Sequence, residues 1–420
     1  MNTIFNHNND KKVLLVNFLS LSVLQVVYTV LPLIILPYLV RVLGIENYGL
    51  IATSLAIIML FNIVVSFGFE LSATKDVSVS KTNNNKLSEI FSTVMFIKVT
   101  FLIISFIVLV FLTEYVSVMN ENSTLFFLTF GVVIGHAIFP SWLFQGMEKI
   151  KYITYINLIT ATCSTGLIFL LVQDEKDILY VPLLNSIGGI LGALYSLRLA
   201  NKIFNIKYIP PKRKNIFLYL KSSYAFFLSR AANNGSRYYA VTLIGLYFGN
   251  SLAGYYSLAE KSFYAFVSLG GLISQAIYPY MCRTKNVIFL KKILIIATLI
   301  SIILVVPVMY YNEYIFYFLF DEESEVLSSV FEILFFGSIF SIIGSLIGYP
   351  LLSAFNYDKH ANNSLLYSSV LYIFLITVSA YFFNSIYLIS ASMVIFKFSV
   401  LILRVLYIQK EGIQFFNFKI

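Results

Sequence analysis

Four cations stand inside long apolar runs: Lys98 in "STVMFIKVTFLII", Arg230 and Arg237 in "FFLSRAANNGSRYYAV", and Lys397 in "VIFKFSVLI". A charge at mid-span costs about 2.5–3.5 kcal/mol on insertion scales, so each needs a partner or a task. Arg230 and Arg237 are seven apart, a spacing that places both on one face of a helix. Asn233, Asn234, Gly235 and Ser236 lie between them. That makes the segment polar enough to face water, and irregular backbone at membrane depth is tolerated where it lines a cavity. Against the four cations stands one clearly buried acid, Glu260, with Lys261 beside it. The expectation is a cationic lumen suited to an anion. Guanidinium forks match phosphate geometry and keep their charge at any working pH, so a phosphate-bearing lipid head group is the natural ligand class. The alternative for each cation is a side chain that snorkels or bonds backbone carbonyls. His136 could relay protons or be a hydrogen-bonded structural histidine.

The elements that must position these groups are membrane spans. Of 420 residues, 59% are hydrophobic and 12% charged, against roughly half apolar and a quarter charged in soluble domains. Runs of about 20 apolar residues occur at 13–40, 45–68, 90–113, 124–146, 153–173, 178–199, 222–248, 252–281, 287–311, 327–352, 364–383 and 386–409. The expected fold class is an all-α integral membrane protein of about twelve transmembrane helices. Its two pseudo-repeated six-helix lobes would surround a central cavity.

The net charge of +9 is an orientation signal rather than a nucleic-acid footprint. Most Lys and Arg fall in alternate gaps, before 13, at 69–89, 147–152, 198–221 and 283–292, at Lys359 and from Arg404 on. The opposite gaps hold only Arg41 and Lys176, with acids such as the run "DEESE" at 321–325. By the positive-inside rule both termini are cytoplasmic. The first apolar run is longer than a signal-peptide core and is expected to remain in the mature protein. Cys163 and Cys282, both in or at the edge of runs, suggest neither a disulfide framework nor a metal site. No cofactor is expected.

The basic break at 201–221 divides the chain into an N-terminal six-helix lobe, 1–200, and a C-terminal one, 222–420. Pro140, Glu148 and Lys149 recur as Pro350, Asp358 and Lys359, 210 residues on, and Gly44 and Gly49 recur as Gly249 and Gly254, 205 residues on. An even number of spans per half makes these parallel repeats, related by an axis along the membrane normal. Between the second and third runs, "ELSATKDVSVSKTNNNKLSE" reads either as a short amphipathic piece at the interface or as a solvated loop.

Three stretches carry a family resemblance: "NFLSLSVLQVVYTVLPLIILPYLVRVLGIENYGLIA" at 17–52, "FGFELSATKDVSVSK" at 67–81 and "FPSWLFQGMEKIKYITYINLI" at 139–159. Together they resemble the Wzx-type flippases of the polysaccharide transporter family, within the superfamily of multidrug and lipid II exporters. The resemblance implies a non-enzymatic inner-membrane flippase. It would move undecaprenyl-pyrophosphate-linked oligosaccharide repeat units to the outer leaflet, with the bilayer and the pathway's polymerase and chain-length regulator as partners.

On that analogy Pro32 and Pro37 bend the first helix so that the lobes can open and close. Arg41 ends it at the outer face as an interfacial anchor or a pyrophosphate gate, and the Gly-x-Glu-Asn-x-Gly segment becomes a tight outer turn. Glu260 and Lys261 join His136 as coupling or gating candidates. Two other classes compete with this reading. A polymerase or glycosyltransferase would need large outer loops, and the longest outer gap here is near 312–326; a cation-coupled drug exporter would favour acids over cations within the spans.

Overall fold

The computed structural model describes residues 7–413 and 415, with side chains described for residue 31 and from 33 on within that range. Almost every described residue is helical. The elements, in chain order, are α1 (His7–Ser66), α2 (Phe69–Val79), α3 (Asn84–Tyr115), α4 (Ser117–Glu121), α5 (Ser123–Ile138), α6 (Ser141–Gly146) and α7 (Ile150–Leu171). A 3-10 turn at Glu175–Leu179 leads to α8 (Tyr180–Phe204) and α9 (Arg213–Arg230). A π turn at Ala231–Gly235 precedes α10 (Ser236–Tyr247), α11 (Asn250–Thr284), α12 (Val287–Tyr310), α13 (Asn312–Phe320) and α14 (Glu325–Ile347). A second π turn, Gly348–Ser353, is followed by α15 (Asp358–Tyr381) and α16 (Ile386–Lys410).

Every apolar run expected from the sequence coincides with helix. Nine helices among the described residues are long and apolar enough to cross a membrane. The runs at 222–248 and 252–281 are not among them, and the runs at 13–40 and 45–68 share a single one, Leu33–Val79. The run at 222–248 is split by the π turn, which leaves α10 with 12 residues, and α11 carries Glu260 and Lys261 among many Ser, Gly and Tyr. Outward faces of α3 and α12 are apolar: Ile103, Ile107, Phe111, Ile303 and Val306 are each more than half exposed. Hydrocarbon offers no hydrogen bonds, so only segments that satisfy their own backbone can stand in it, and helices with such faces do.

The residues fall into two compact units. One comprises the described residues up to Ile35 together with Ser54–Ala231; the other comprises Leu36–Thr53 and the described residues from Ala232 on. In the first, Trp142 and Phe144 of α6 pack with Phe69, Ala73 and Val77 of α2 and Leu87, Ile90 and Val94 of α3. The four-residue spacing of Phe69, Ala73 and Val77 gives α2 one buried face, so the segment after the second run is an amphipathic helix rather than a free loop. Close approach comes from small residues: a Cβ on Gly131 of α5 would lie 2.5 Å from the Ser186 side chain of α8, and one on Gly192 of α8 would lie 2.8 Å from Thr160 of α7. This is the usual way helices meet where lipid gives no hydrophobic drive between them.

In the second unit α14 is central, buried along Leu327, Phe331, Leu334, Ile342 and Leu346 and packed against α11, α12 and α16. The repeat seen in the sequence has a backbone counterpart. Gly44 (φ 77°, ψ 162°) and Gly249 (φ 91°, ψ 170°) adopt nearly the same conformation, one that only glycine occupies readily. Each starts a helix whose next glycine is a contact point. A Cβ on Gly49 would fall 1.8 Å from the Asn250 carbonyl oxygen, and one on Gly254 would fall 2.5 Å from that of Ile45. The two helix starts are pressed backbone to backbone.

Two expectations need correction. The Gly-x-Glu-Asn-x-Gly stretch is not a multi-residue turn: the chain breaks at Gly44 alone and is helical through Glu46, Asn47 and Gly49, with Asn47 Nδ2 donating to the Leu43 carbonyl at 3.0 Å. Within α1 the only non-helical backbone is at Gly44, so Pro37 sits in a helix of regular dihedrals; the Pro32 side chain lies outside the described residues. The second internal match is real but out of step. Glu148 (φ 56°) and Asn356 (φ 68°) are the equivalent turn residues. The amide after each, at Lys149 and Tyr357, donates back to Phe144 and Leu352 at 2.8 Å in both cases. The structural offset here is 208, two short of that read from the prolines and charges.

Candidate functional site

Arg237 follows the π turn by two residues, at the start of α10. Its partner Glu260 and the ring of Tyr264 stand four apart on α11, hence on one face of that helix. Arg237 Nε donates to Glu260 Oε1 at 3.0 Å. The guanidinium carbon lies 3.9 Å from the centre of the Tyr264 ring. From α16 the Lys397 ammonium approaches the same ring at 5.3 Å, with Phe396 at 4.5 Å and Phe263 at 5.9 Å. Behind these, the hydroxyls of Tyr256 and Tyr372 are 3.2 Å apart, and Tyr372 stacks on Phe396.

The electrostatics of this group are unbalanced. Glu260 has a side-chain exposure of 5% and Arg237 of 33%. The carboxylate occupies one nitrogen of the guanidinium; the two terminal nitrogens of Arg237 and the ammonium of Lys397 have no hydrogen-bond acceptor among the described residues. Tyr264 holds both cations by its π face, an attraction that grows when desolvated. Two cations and one carboxylate leave one positive charge for a further anion, and a forked donor with free terminal nitrogens is shaped for phosphate oxygens. Lys261 takes no part. It points away to Tyr48, donating to its hydroxyl at 2.8 Å, and Ser257 shares that hydroxyl at 3.2 Å.

The other expected residues are placed elsewhere. Arg230 is paired with Glu70, in the first turn of α2. Its neighbourhood is the first unit, and the π turn between Arg230 and Arg237 interrupts the α periodicity that suggested a common face. Lys98, 3% exposed, donates to the backbone carbonyl of His136 at 2.9 Å, while the His136 side chain is exposed. Glu70 is near enough to both to act on them electrostatically. Arg41 is exposed and donates to the Phe318 carbonyl on α13.

Three participants escaped the sequence reading. Glu70 looked like part of a polar loop, because it follows the Phe67–Gly68 elbow that ends an apolar run. Tyr264 was one of 30 tyrosines in a biased composition; its only signal was the four-residue spacing from Glu260. Arg404 reads in the sequence as a cytoplasmic flank, yet it is 4% exposed. It donates from Nε to Ser364 Oγ at 3.1 Å and from Nη1 to the Gly344 carbonyl at 2.5 Å.

The fold defines an all-α multi-pass membrane protein. The structure resembles the lipid II flippase MurJ in an inward closed conformation, with a TM-score of 0.72 at 16% identity over 91% of this chain and 85% of that one. It also resembles an inward-facing multidrug resistance transporter of the MATE family and MOP superfamily, with a TM-score of 0.64 at 15% identity over 94% of this chain and 98% of that one. Residues 14–285 match the family described as "Polysaccharide biosynthesis protein", and the chain belongs to that family. Two relatives carry the name "Putative O-antigen transporter". The one from Escherichia coli (strain K12) is 28% identical over 70% of this chain and 72% of its own length, and the one from Shigella dysenteriae is 29% identical over 67% and 70%.

Proposed function

We propose that this protein is a flippase that carries undecaprenyl-pyrophosphate-linked oligosaccharide repeat units from the cytoplasmic to the outer leaflet. It works by alternating access and serves O-antigen, capsule or exopolysaccharide synthesis. Its membrane is the cell's inner membrane, with both termini cytoplasmic. Residues 1–200 and 222–420 act as two six-helix lobes joined by the basic stretch 201–221, and the pathway's polymerase and chain-length regulator are its partners. It makes and breaks no covalent bond.

The observation that carries this reading is the charge excess around Tyr264. Arg237 and Lys397 share one aromatic face with a single carboxylate between them, and their remaining donors lack acceptors among the described residues. A pyrophosphate supplies what that group lacks. Of the cations expected to bind cargo, Arg237 and Lys397 are retained in this role. Arg230, paired with Glu70 within the first unit, is kept as a further candidate cation, and Arg41 is assigned to the outer end of its helix. Lys98 keeps its place as a cation whose present acceptor is a carbonyl. Outward movement of a negative charge is favoured by about 2.3 kcal/mol per 100 mV with the inside negative, so the potential helps to drive export.

A multidrug exporter of the same fold is not favoured, because both named relatives are O-antigen transporters by name and the buried charge is cationic. The test is the sidedness of the lipid-linked repeat unit in cells lacking the gene, read with a membrane-impermeant lectin or glycosidase on oriented vesicles. Complete units trapped on the cytoplasmic leaflet, released when the gene is restored, are the expected result. Units already outside but unpolymerised would sink the proposal in favour of a polymerase.

A further inference from the structure

The stretch between α8 and the middle of α9 is held to the protein on one side and left bare on the other. Its inner side is anchored by two serines of α3. Ser88 Oγ accepts from the Lys207 amide at 3.0 Å, and Ser92 Oγ accepts from the Ile209 amide at 2.9 Å. Amides two apart in an extended chain point the same way. Hydroxyls four apart on a helix share a face. The two periods therefore lock together and lay residues 207–209 along α3. Pro210 and Pro211 then continue the chain in a stiff, extended form. Asn215 closes the anchor by donating to Glu89, and Phe204, Ile206, Ile216, Tyr219 and Leu220 fill the apolar core beneath.

The outer side is a different surface. On α9 the residues at i, i+3, i+4 and i+7 are Lys214, Phe217, Leu218 and Lys221, all exposed, with Phe217 at 69% and Leu218 at 55%. Lys207, Lys212 and Arg213 are exposed beside them, and so is Tyr208 at 74%. None of these cations makes an ion pair among the described residues. Two acids lie near Tyr219 of α9: Glu89 is engaged by Lys86 at 3.1 Å and by Asn215, and Asp76 of α2 pairs with none of these cations among the described residues. Two large apolar side chains flanked by five unpaired cations form a surface that water alone serves badly. An exposed helix face of this pattern is matched by a leaflet, with Phe217 and Leu218 at the acyl boundary and long cationic stems reaching up to phosphates.

We propose that residues 207–221 form an interfacial clamp for the anionic phospholipid head groups of the cytoplasmic leaflet. Lys207, Lys212, Arg213, Lys214 and Lys221 engage the phosphates, and Phe217 and Leu218 insert below them. The clamp rests on the reading of the chain as a multi-pass membrane protein with this stretch on the cytoplasmic side. It does not depend on what the protein transports. Because the anchor runs through α3 serines that the lipid never touches, the surface is preformed and binding needs no folding of the segment. Polybasic segments gain about a kcal/mol per cation near an anionic leaflet, and the gain is screened by salt.

The test uses the purified full chain in a neutral detergent, with acyl-labelled phosphatidylglycerol and acyl-labelled phosphatidylcholine as probes. Wild-type protein is expected to prefer phosphatidylglycerol by about tenfold or more at low salt, and to lose most of that preference near 0.5 M salt. The variant K207Q/K212Q/R213Q/K214Q should bring the preference below about twofold, with its thermal midpoint in detergent unchanged. A second variant, F217S/L218S, should weaken both lipids equally and so retain the preference. Equal binding of the two lipids by wild type, or an undiminished preference in the quadruple variant, would overturn the proposal. So would displacement of the label by inorganic pyrophosphate as effective as displacement by unlabelled phosphatidylglycerol, since that outcome assigns the surface to the cargo's head group. Failure of the flippase reading, seen as normal sidedness in cells lacking the gene, leaves each of these outcomes unaffected.

Discussion

Arg237 and Glu260 are joined at 3.0 Å through the Nε edge of the guanidinium, the edge that leaves the two terminal nitrogens pointing elsewhere. Glu260 thus orients the fork without occupying it, and Tyr264 beneath sets its plane at 3.9 Å. Arg237→Gln is expected to cut export of lipid-linked units by at least about tenfold. Arg237→Lys should fall between, because an ammonium keeps the charge and loses the bidentate geometry. The check is the outer-leaflet signal in the lectin assay, normalised to protein inserted in the membrane. Equal export by wild type and the Gln variant would remove Arg237 from the site.

The paired glycine contact gives a stability prediction with an internal control. Gly49→Ala places a methyl against the Asn250 carbonyl, at a position where backbone rather than a flexible side chain would have to give; a loss of about 1–3 kcal/mol is expected. Gly44→Ala and Gly249→Ala force residues with a Cβ into a region nearly reserved for glycine, at about 1–3 kcal/mol each. Gly166→Ala, in α7, meets nothing within 4 Å and should stabilise by about 0.5–1 kcal/mol through helix propensity. Thermal unfolding in detergent distinguishes the two directions. A neutral Gly49→Ala would mean that the two helix starts are not in contact.

Much of this fold was legible because apolar length is a direct physical demand of the bilayer, and each expected run holds a helix. Charge in mid-run was legible for the same reason: it flagged Arg237, Glu260 and Lys397, which do meet. What could not be read was phase. Seven-residue spacing puts Arg230 and Arg237 on one face only if the helix between them is regular, and the π turn at Ala231–Gly235 carries no mark beyond its Asn-Asn-Gly. Glu70 and Arg404 were misread because each stands at the end of an apolar run, where a solvated charge and a buried one look alike. Only the tertiary partners, Arg230 for the one and the Gly344 carbonyl for the other, tell them apart.

At the end of α16 a pH dependence is expected. Glu411 accepts from His360 at 2.9 Å, and that hydrogen bond, aided by one from Tyr357, holds its carboxyl below the usual 4.5. A carboxyl depressed in the folded state contributes stability that is present above its unfolded value and is lost as pH falls through the folded one. The link between the start of α15 and the end of α16 should therefore loosen on acidification below about pH 4.5. Hydrogen exchange at Glu411–Ile413 reads this, and Glu411→Gln should abolish the acid-dependent part.

Arg404 and Gly348 should prove energetically inseparable. A Cβ on Gly348 would lie 2.5 Å from Arg404 Nη1 and 2.8 Å from its Cζ, so the guanidinium fits only where residue 348 has no side chain. No carboxylate pairs with Arg404 among the described residues; its hydrogen bonds go to Ser364 and to the Gly344 carbonyl, near the end of α14. An apolar replacement of similar volume is therefore tolerable, as buried charges often are when removed whole. Arg404→Met is expected to change the thermal midpoint little, whereas Gly348→Ala alone should cost about 1–3 kcal/mol by overpacking. In the double variant the methyl finds a thioether that can move aside, and most of that loss should be recovered, giving a coupling of about 1 kcal/mol or more in a double-mutant cycle. Strictly additive losses would mean that Gly348 is required for its own backbone geometry and not to admit the arginine.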